Sequence, residues 1–504
     1  MNGKGQKGSI TIFLSLACIL FLSLICTVVE SARIQGAKTQ TANITGMGTF
    51  SLLGEFEREL LDQYSIFALN GTYGHGSFQI EKADERMKSF LLCNADPQED
   101  TLSSLCFDPW NLELMECQVS QYALLTDNYG DPFYQQAVAY MRANAGVFAV
   151  DKLAEYADDA KQAETGQKEY EKSKKDNKSK LDSLEGQKQK KEEELEAQAD
   201  SGSMDVTEHP VENPLDSIEK LKKRDVLDIV TWDREVSGKK VNQKALPSKS
   251  LRNRGNLRIE KKYGGRTSDA LFIEYLMMHF PDYSSVEEKN GLDYQLEYIV
   301  GGKASDRDNL KYAVNHLLVI REGMNYLYCV KNPQINAQAE GLAAALTGFL
   351  AMPALTAATK HALLLALAYG ESLIDIRILL DDGKVPLWKD DSSWSLSLEN
   401  LGRVTEILQQ GAKGKENGLT YREYLRILLY TGIVSQQRMR ALDMIQAELR
   451  GQEKTSEFKA ENCIVAVRTK ADWEIKPVFF RLPQAILGIS GGNVQVTQES
   501  SLAY

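Results

Sequence analysis

Residues Gly8 to Val29 carry no charged side chain and consist mostly of Ile, Leu, Phe and Val, interrupted by Cys18, Cys26 and a few Ser and Thr. As a helix rising about 1.5 Å per residue, roughly 20 such residues cross the hydrocarbon core of a bilayer. A helix also satisfies its own backbone hydrogen bonds, which lipid cannot do. Lys4 and Lys7 stand before the run, and Glu30, Arg33 and Lys38 follow it. A cleaved secretory signal has a shorter apolar region, about 7–15 residues, and a small-x-small site. Here the run is longer, and Glu30-Ser31-Ala32-Arg33 continues a helical pattern. The reading is an uncleaved transmembrane helix over 9–29. The basic residues in front of it place a cytoplasmic tail, 1–8, inside and the remainder outside the membrane.

The remainder is large. The chain has 504 residues, 43% hydrophobic and 26% charged, enough for several domains with real cores. Its net charge of -11 argues against generic nucleic-acid binding, which wants a basic face. Helical periodicity continues past the membrane. Phe56, Leu60, Tyr64 and Phe67 recur on one helix face before Asn70-Gly71 stops it, so 30–69 is expected to be a helical stalk. Residues 70–150 mix short helical patterns with turns and form the first part of the exported domain. Asp127-Asn128-Tyr129-Gly130-Asp131 is rich in oxygen ligands but lacks EF-hand spacing.

Residues 151–200 hold 11 Lys and 15 Asp or Glu. Leu153, Tyr156, Tyr170, Leu181, Leu184 and Leu195 fall on a or d positions of one heptad register, with Ala160 and Ala163 filling two more. This predicts a coiled-coil-like arm or helical hairpin, solvated on most sides and available for self-association. Few bulky residues there can join a core, so the arm is expected to be dispensable for folding. Residues 201–255 read as a linker, broken by Gly202, Pro210, Pro214, Gly238 and Pro247 and basic toward its end. A helical domain, 256–450, follows. Gly341 to Thr359 is uncharged and raises a second span; its Ala-rich composition with Gly348 and Pro353 favours a core helix. Lys360 to Leu380 is apolar nearly all round and should be central to a bundle. Glu371, Asp375 and Arg377 on it form either a site or a paired structural network. In 451–504, Phe458–Arg468, Trp473–Phe480 and Asn493–Thr497 read as strands of a small antiparallel sheet. The fold class is mainly α, with a transmembrane helix, an exported helical domain and a small C-terminal antiparallel β element (α+β overall).

No catalytic, cofactor-binding or metal-ligating residue is assigned. The five histidines, His75, His209, His279, His316 and His361, lie apart in the sequence. No HExxH, P-loop, GxSxG or paired CxxC pattern exists, and Gly301-Gly302-Lys303 lacks the Walker spacing. Cys93, Cys106 and Cys117 cluster and leave open one disulfide or free thiols.

Some stretches also resemble known proteins. Lys7-Gly8-Ser9-Ile10-Thr11-Ile12-Phe13-Leu14 resembles the start of TadE/TadG-like proteins of the Tad (Flp-type) pilus system. Prepilins of that system carry Glu five residues after the cleavage Gly. The corresponding residue here is Phe13, which matches the uncleaved TadG-like type and leaves processing after Gly8 open. The stretch 54–71 (GEFERELLDQYSIFALNG), the stretches 366–375 and 383–387, and 419–426 resemble an uncharacterised family of Gram-positive membrane proteins associated with Tad pilus components. The resemblance does not cover 150–250 and implies location and context without catalytic residues. The expected function is a non-enzymatic, membrane-anchored extracytoplasmic component of a Tad-like pilus or secretion apparatus. Its partners would be the lipid bilayer and other transmembrane components. The alternatives are a free-standing surface binding or adhesion protein and, third, an unrecognised cell-wall enzyme.

Overall fold

The structure, a computed structural model, describes residues 6–74, 76–95, 109–144, 148–200, 213–285, 288–411, 414, 417–479 and 492–504. The chain divides into two compact units, one of residues 1–136, 250–262 and 454–504, the other of 137–249 and 263–453.

The first unit is built on α1 (Gln6–Leu53), a single helix of 48 residues. It is followed by α2 (Arg58–Tyr64), β1 (Leu69–Asn70), α3 (Ile80–Ala95), β2 (Leu112–Leu124) and the start of α4 (Asp127–Asn144). β3 (Cys463–Ile475) and β4 (Val494–Ala503) complete an antiparallel sheet. β3 is its centre, with β2 along one edge and β1 and β4 sharing the other.

The second half of α1 lies on this sheet and on α3. Its small and β-branched residues explain why. Ala37, Thr41, Ile44, Thr45, Thr49 and Leu52 recur at three- and four-residue spacing and are buried. A Cβ added to Gly48 would meet Leu91 at 2.7 Å, so glycine there lets α3 approach. The buried threonine hydroxyls are satisfied. Thr45 and Thr49 donate to carbonyls one turn back, Thr49 meets Thr469 Oγ1 at 2.7 Å, and Trp473 Nε1 donates to Thr45 Oγ1 at 3.2 Å. Met87 and Leu91 of α3, with Val467, Ala471 and Trp473 of β3, fill the core. The Met, Leu and Val side chains among them each contribute about 1.5–3 kcal/mol on burial.

The described elements of the second unit are helical: the end of α4, then α5 (Phe148–Asp200), α6 (Pro214–Lys222), α7 (Val226–Val230), α8 (Arg266–His279), α9 (Gln295–Gly301), α10 (Asp306–Lys331), α11 (Pro333–Thr347), α12 (Pro353–Leu380), α13 (Val404–Gln410), α14 (Tyr421–Thr431) and α15 (Val434–Arg450), with two isolated β-bridges, Lys240–Ser305 and Val385–Leu419. α10 and α12 form the central pair, and α5, α9 and α11 pack around them. Every residue from Leu363 to Leu380 is buried, as the all-round apolar pattern predicts. Local chemistry sets the breaks. Asn332 ends α10 and caps α11, its side chain accepting from Gln334 N and Ile335 N, with Pro333 at the first helical position. Thr420 and Glu423 form a reciprocal capping box on α14.

Four expectations change in detail. The uncharged run 341–359 is not one helix. α11 ends at Thr347, a 3₁₀ turn covers Gly348–Leu350, Ala351 is left-handed, and α12 begins at Pro353. The stretch 201–255, expected as a linker, holds two helices, α6 and α7, separated where Asp225 caps α7. The two strands expected within 458–480 are one, Cys463–Ile475. The charged stretch 151–200 is one continuous helix, not a hairpin, and is not a free arm: Ala160, Ala163 and Tyr170 are buried against the unit's own helices. The heptad register is correct, but its partners are α10, α12 and α14.

Candidate functional site

The most distinctive surface is the first half of α1. In its most apolar 18-residue window the mean hydropathy is 2.8 and none of the window is buried. Phe13 is 73% exposed and Leu20 72%. A continuous apolar surface of this extent far exceeds what a soluble monomer exposes. The hydroxyls within it turn inward: Ser15 donates to Ile12 O at 2.9 Å and Thr27 to Ser23 O at 2.8 Å. Among the described residues this is the one helix long and apolar enough to cross a membrane.

Where the apolar run ends, a collar begins. Glu30 and Arg33 are the first charges after it, and both are buried. Arg33 Nη2 donates to Glu30 Oε1 at 2.7 Å and to Lys476 O at 2.8 Å, and Nη1 donates to Trp110 O at 2.6 Å. Glu30 accepts from Phe479 N at 3.0 Å. Trp110 packs on Gly36 so closely that a Cβ there would lie 2.6 Å from its ring. Burial opposes ionisation of Glu30, but Arg33 and the two backbone N–H groups of Phe479 and Val478 outweigh it and hold the carboxyl below its ordinary value. One ion pair thus ties the helix to the chain on either side of the sheet at the level where it leaves the apolar zone.

The charged residues of α12 sort into two networks. Arg321 Nε donates to Asp375 Oδ2 at 3.0 Å, Asn325 Nδ2 donates to the same oxygen at 2.9 Å, and Lys389 lies 2.6 Å from Asp375 Oδ1. Lys389 also pairs with Glu371, whose oxygens accept from Ser395 N and Leu396 N. Arg321 Nη1 donates to Pro386 O, Leu387 O and Tyr424 Oη. These paired side chains are 0–2% exposed, so the cluster locks the 386–396 segment onto α10 and α12. Burial favours a neutral Asp375, yet Lys389 and Arg321 hold its carboxyl below the ordinary value. Arg377 points elsewhere, to both oxygens of Asp233 and to Asp381.

The remaining candidates are dispersed. His279 lies against the rings of Tyr275 and Tyr140, His316 Nδ1 is 2.9 Å from Tyr312 O, and His361 sits near Lys180 and Lys360. His75 and His209 lie outside the described residues. Cys93 and Cys117 are free thiols, and Cys106 lies outside the described residues. No three His, Cys, Asp or Glu side chains come together as a metal cluster among the described residues. Gly301 and Gly302 close α9, where Gly302 is left-handed. A groove of about 1140 Å³ runs between α5, α8 and the α14–α15 turn; Lys161, Lys168 and Arg266 line it together with Glu164, Glu171 and Asp269, so its charge is mixed.

Fold and surface together define a mainly α protein with a four-stranded antiparallel sheet and one N-terminal helix compatible with a membrane anchor. The chain belongs to a family of unknown function, DUF5702, whose description matches residues 205–475, somewhat more than half of the chain. No curated protein and no solved structure matches it.

Proposed function

We propose that this protein is a membrane-anchored, extracytoplasmic structural component of a Tad-like pilus or secretion apparatus, acting through partner contacts and not through catalysis. The observation that carries this reading is the continuity of α1. The same helix that exposes an apolar surface over 10–29 becomes, from Glu30 to Leu53, the spine of a folded unit. An enzyme or adhesin on a membrane needs only a flexible tether. A continuous helix instead fixes the unit's orientation to the bilayer normal, which matters when neighbours must pack in register. The Gly8-Ser9 start and the basic residues Lys4 and Lys7 support the TadE/TadG-like reading and an N-terminus inside. Within the bilayer, Ser15, Ser23 and Thr27 offer small, polar positions for close helix approach.

Two measurements test this. Protease shaving of intact protoplasts should digest the bulk of the chain from outside. Photo-crosslinking from Ser23 in cells assembling such an apparatus should trap other transmembrane components. If deletion of the gene leaves assembly intact and Ser23 traps no such partner, the free-standing surface-protein reading replaces this one.

A further inference from the structure

The first unit holds a second feature unrelated to its anchor. Residues 251–259 run as an extended strap across the end of β2. Asn256 N and Leu257 N donate to Tyr122 O, and Asn256 Oδ1 accepts from Tyr122 N. Gly255 N donates to Asp127 Oδ1 at 3.0 Å, and a Cβ on Gly255 would meet Tyr122 O at 2.7 Å, so only glycine lets the strap lie this close. Between the strap and the turn that opens α4 is a groove of about 380 Å³.

The lining of this groove is unusual in three ways. Thr126 is 2% exposed, lines the groove, and its hydroxyl has no hydrogen-bond partner. Asn128, Tyr129 and Gly130 are successive left-handed residues, with φ of 49°, 58° and 72°. A bulky aromatic residue is costly there. That conformation holds the Tyr129 ring at the groove lip, 72% exposed. Arg254 and Arg258, both exposed, stand on the strap side. Asp127 and Asp131 stand opposite. Asp127 accepts from Leu124 N and Gly255 N, and Asp131 lies 3.6 Å from Lys261.

We propose that this groove binds an acidic saccharide. An exposed aromatic ring offers a flat face to the C–H side of a pyranose. The orphan Thr126 hydroxyl and the Asn128 amide supply hydrogen bonds to sugar hydroxyls. Arg254 and Arg258 recognise the acidic substituent, as guanidinium forks match carboxylates. The two aspartates discriminate against a bare polyanion: they repel a polyphosphate but accept hydrogen bonds from hydroxyls. A peptide strand is disfavoured because the strap spends the N–H groups of residues 252, 253, 255, 256 and 257 inward. Anionic headgroups of the protein's own bilayer are out of reach. Tyr122 pairs with Val467, two residues past the Thr469 that touches Thr49, about 30 Å up α1 from Val29 at 1.5 Å per residue. That is several screening lengths at physiological salt.

The test is calorimetry on the full chain in detergent, with digalacturonate as probe, cellobiose as the neutral sugar and inorganic polyphosphate as the charge-only control. Digalacturonate should bind saturably and more tightly than cellobiose. Tyr129→Asn, which keeps a residue tolerant of the left-handed turn but removes the ring, should weaken binding at least tenfold with no loss of Tm. Thr126→Val should weaken it several-fold while leaving Tm unchanged or higher. Arg254→Gln with Arg258→Gln should abolish the preference over cellobiose. No saturable binding to either sugar overturns the proposal. So does polyphosphate binding that matches or exceeds digalacturonate and ignores the Tyr129→Asn change, which would mark the strap as a general basic ridge.

Discussion

At the scale of single residues, buried groups respond most sharply to substitution and to pH. Glu297 of α9 is fully buried and accepts from Tyr283 N at 2.9 Å and Tyr421 Oη at 2.8 Å. Burial first, and then the charge of Asp282, push its carboxyl up to about 8 from an ordinary 4.5. Because the folded value is raised, the stability it contributes is fully present below about pH 4.5 and is lost as pH rises through 8. Asp443, pushed up to about 6 by burial, adds to the same trend at lower pH. The wild-type melting temperature should therefore fall between pH 5.5 and 8.5. Glu297→Gln, which cannot ionise, should show a flatter profile; parallel curves would refute this assignment. Gly323 is a second such residue. A Cβ there would meet the backbone of Gly166 at 2.6 Å, so α10 and α5 touch main chain to main chain. Gly323→Ala should cost about 1–3 kcal/mol by forcing them apart, visible as a drop in Tm. At the collar, Arg33→Ala leaves Glu30 buried without its ion partner and should destabilise the first unit by about 3 kcal/mol. Its effect should shrink as pH falls through the lowered Glu30 value, because a neutral Glu30 no longer needs the guanidinium.

At the scale of elements, α5 shows how a composition can mislead. Its abundance of Lys and Glu suggests a solvated arm, and the heptad positions are filled by small or polar residues more often than by Leu. Yet small residues are what a close helix crossing requires: Ala160, Ala163 and Gly166 permit the approach that buries Tyr170 completely. Tyr170→Ala should therefore cost about 3 kcal/mol, and deletion of 151–200 should unfold the second unit. Cooperative thermal melting of that deletion variant at the wild-type temperature would contradict this. β2 was missed for a different reason. Its residues Leu112, Leu114, Val119 and Tyr122 do alternate locally, but bulges between Leu114 and Glu116 and between Val119 and Gln121 shift the phase twice. A period-two pattern interrupted at that interval reads as loop. α12 is legible from Leu363 to Leu380, where burial on all sides leaves a nearly continuous apolar signature, but its start at Pro353 is not, because the first turns are partly exposed.

At the scale of the whole molecule, one helix, α1, carries both the exposed apolar surface and the spine of the first unit. Inserting six Gly/Ser residues between Val29 and Glu30 should leave the chain in the membrane fraction with an unchanged Tm, since the collar stays with the folded unit. Under the proposed function the same insertion should abolish assembly, because the unit's orientation is no longer set by its anchor. Retained assembly would show that the helix serves only as a tether. The sequence by itself determined what depends on local composition and period: the apolar span, the mainly helical class, the central helix 360–380 and the presence of a small terminal sheet. Hydrophobic length and helical spacing are properties of neighbouring residues, so they can be read without knowing partners. The tertiary structure alone decided what depends on residues distant in sequence: Arg33 meeting Lys476, Thr49 meeting Thr469, Gly166 against Gly323, and the strap at 251–259 lying on Tyr122 and Asp127. Glycines, threonines and single charges carry no periodic signal, and their meaning appears only when the backbone that faces them is in place.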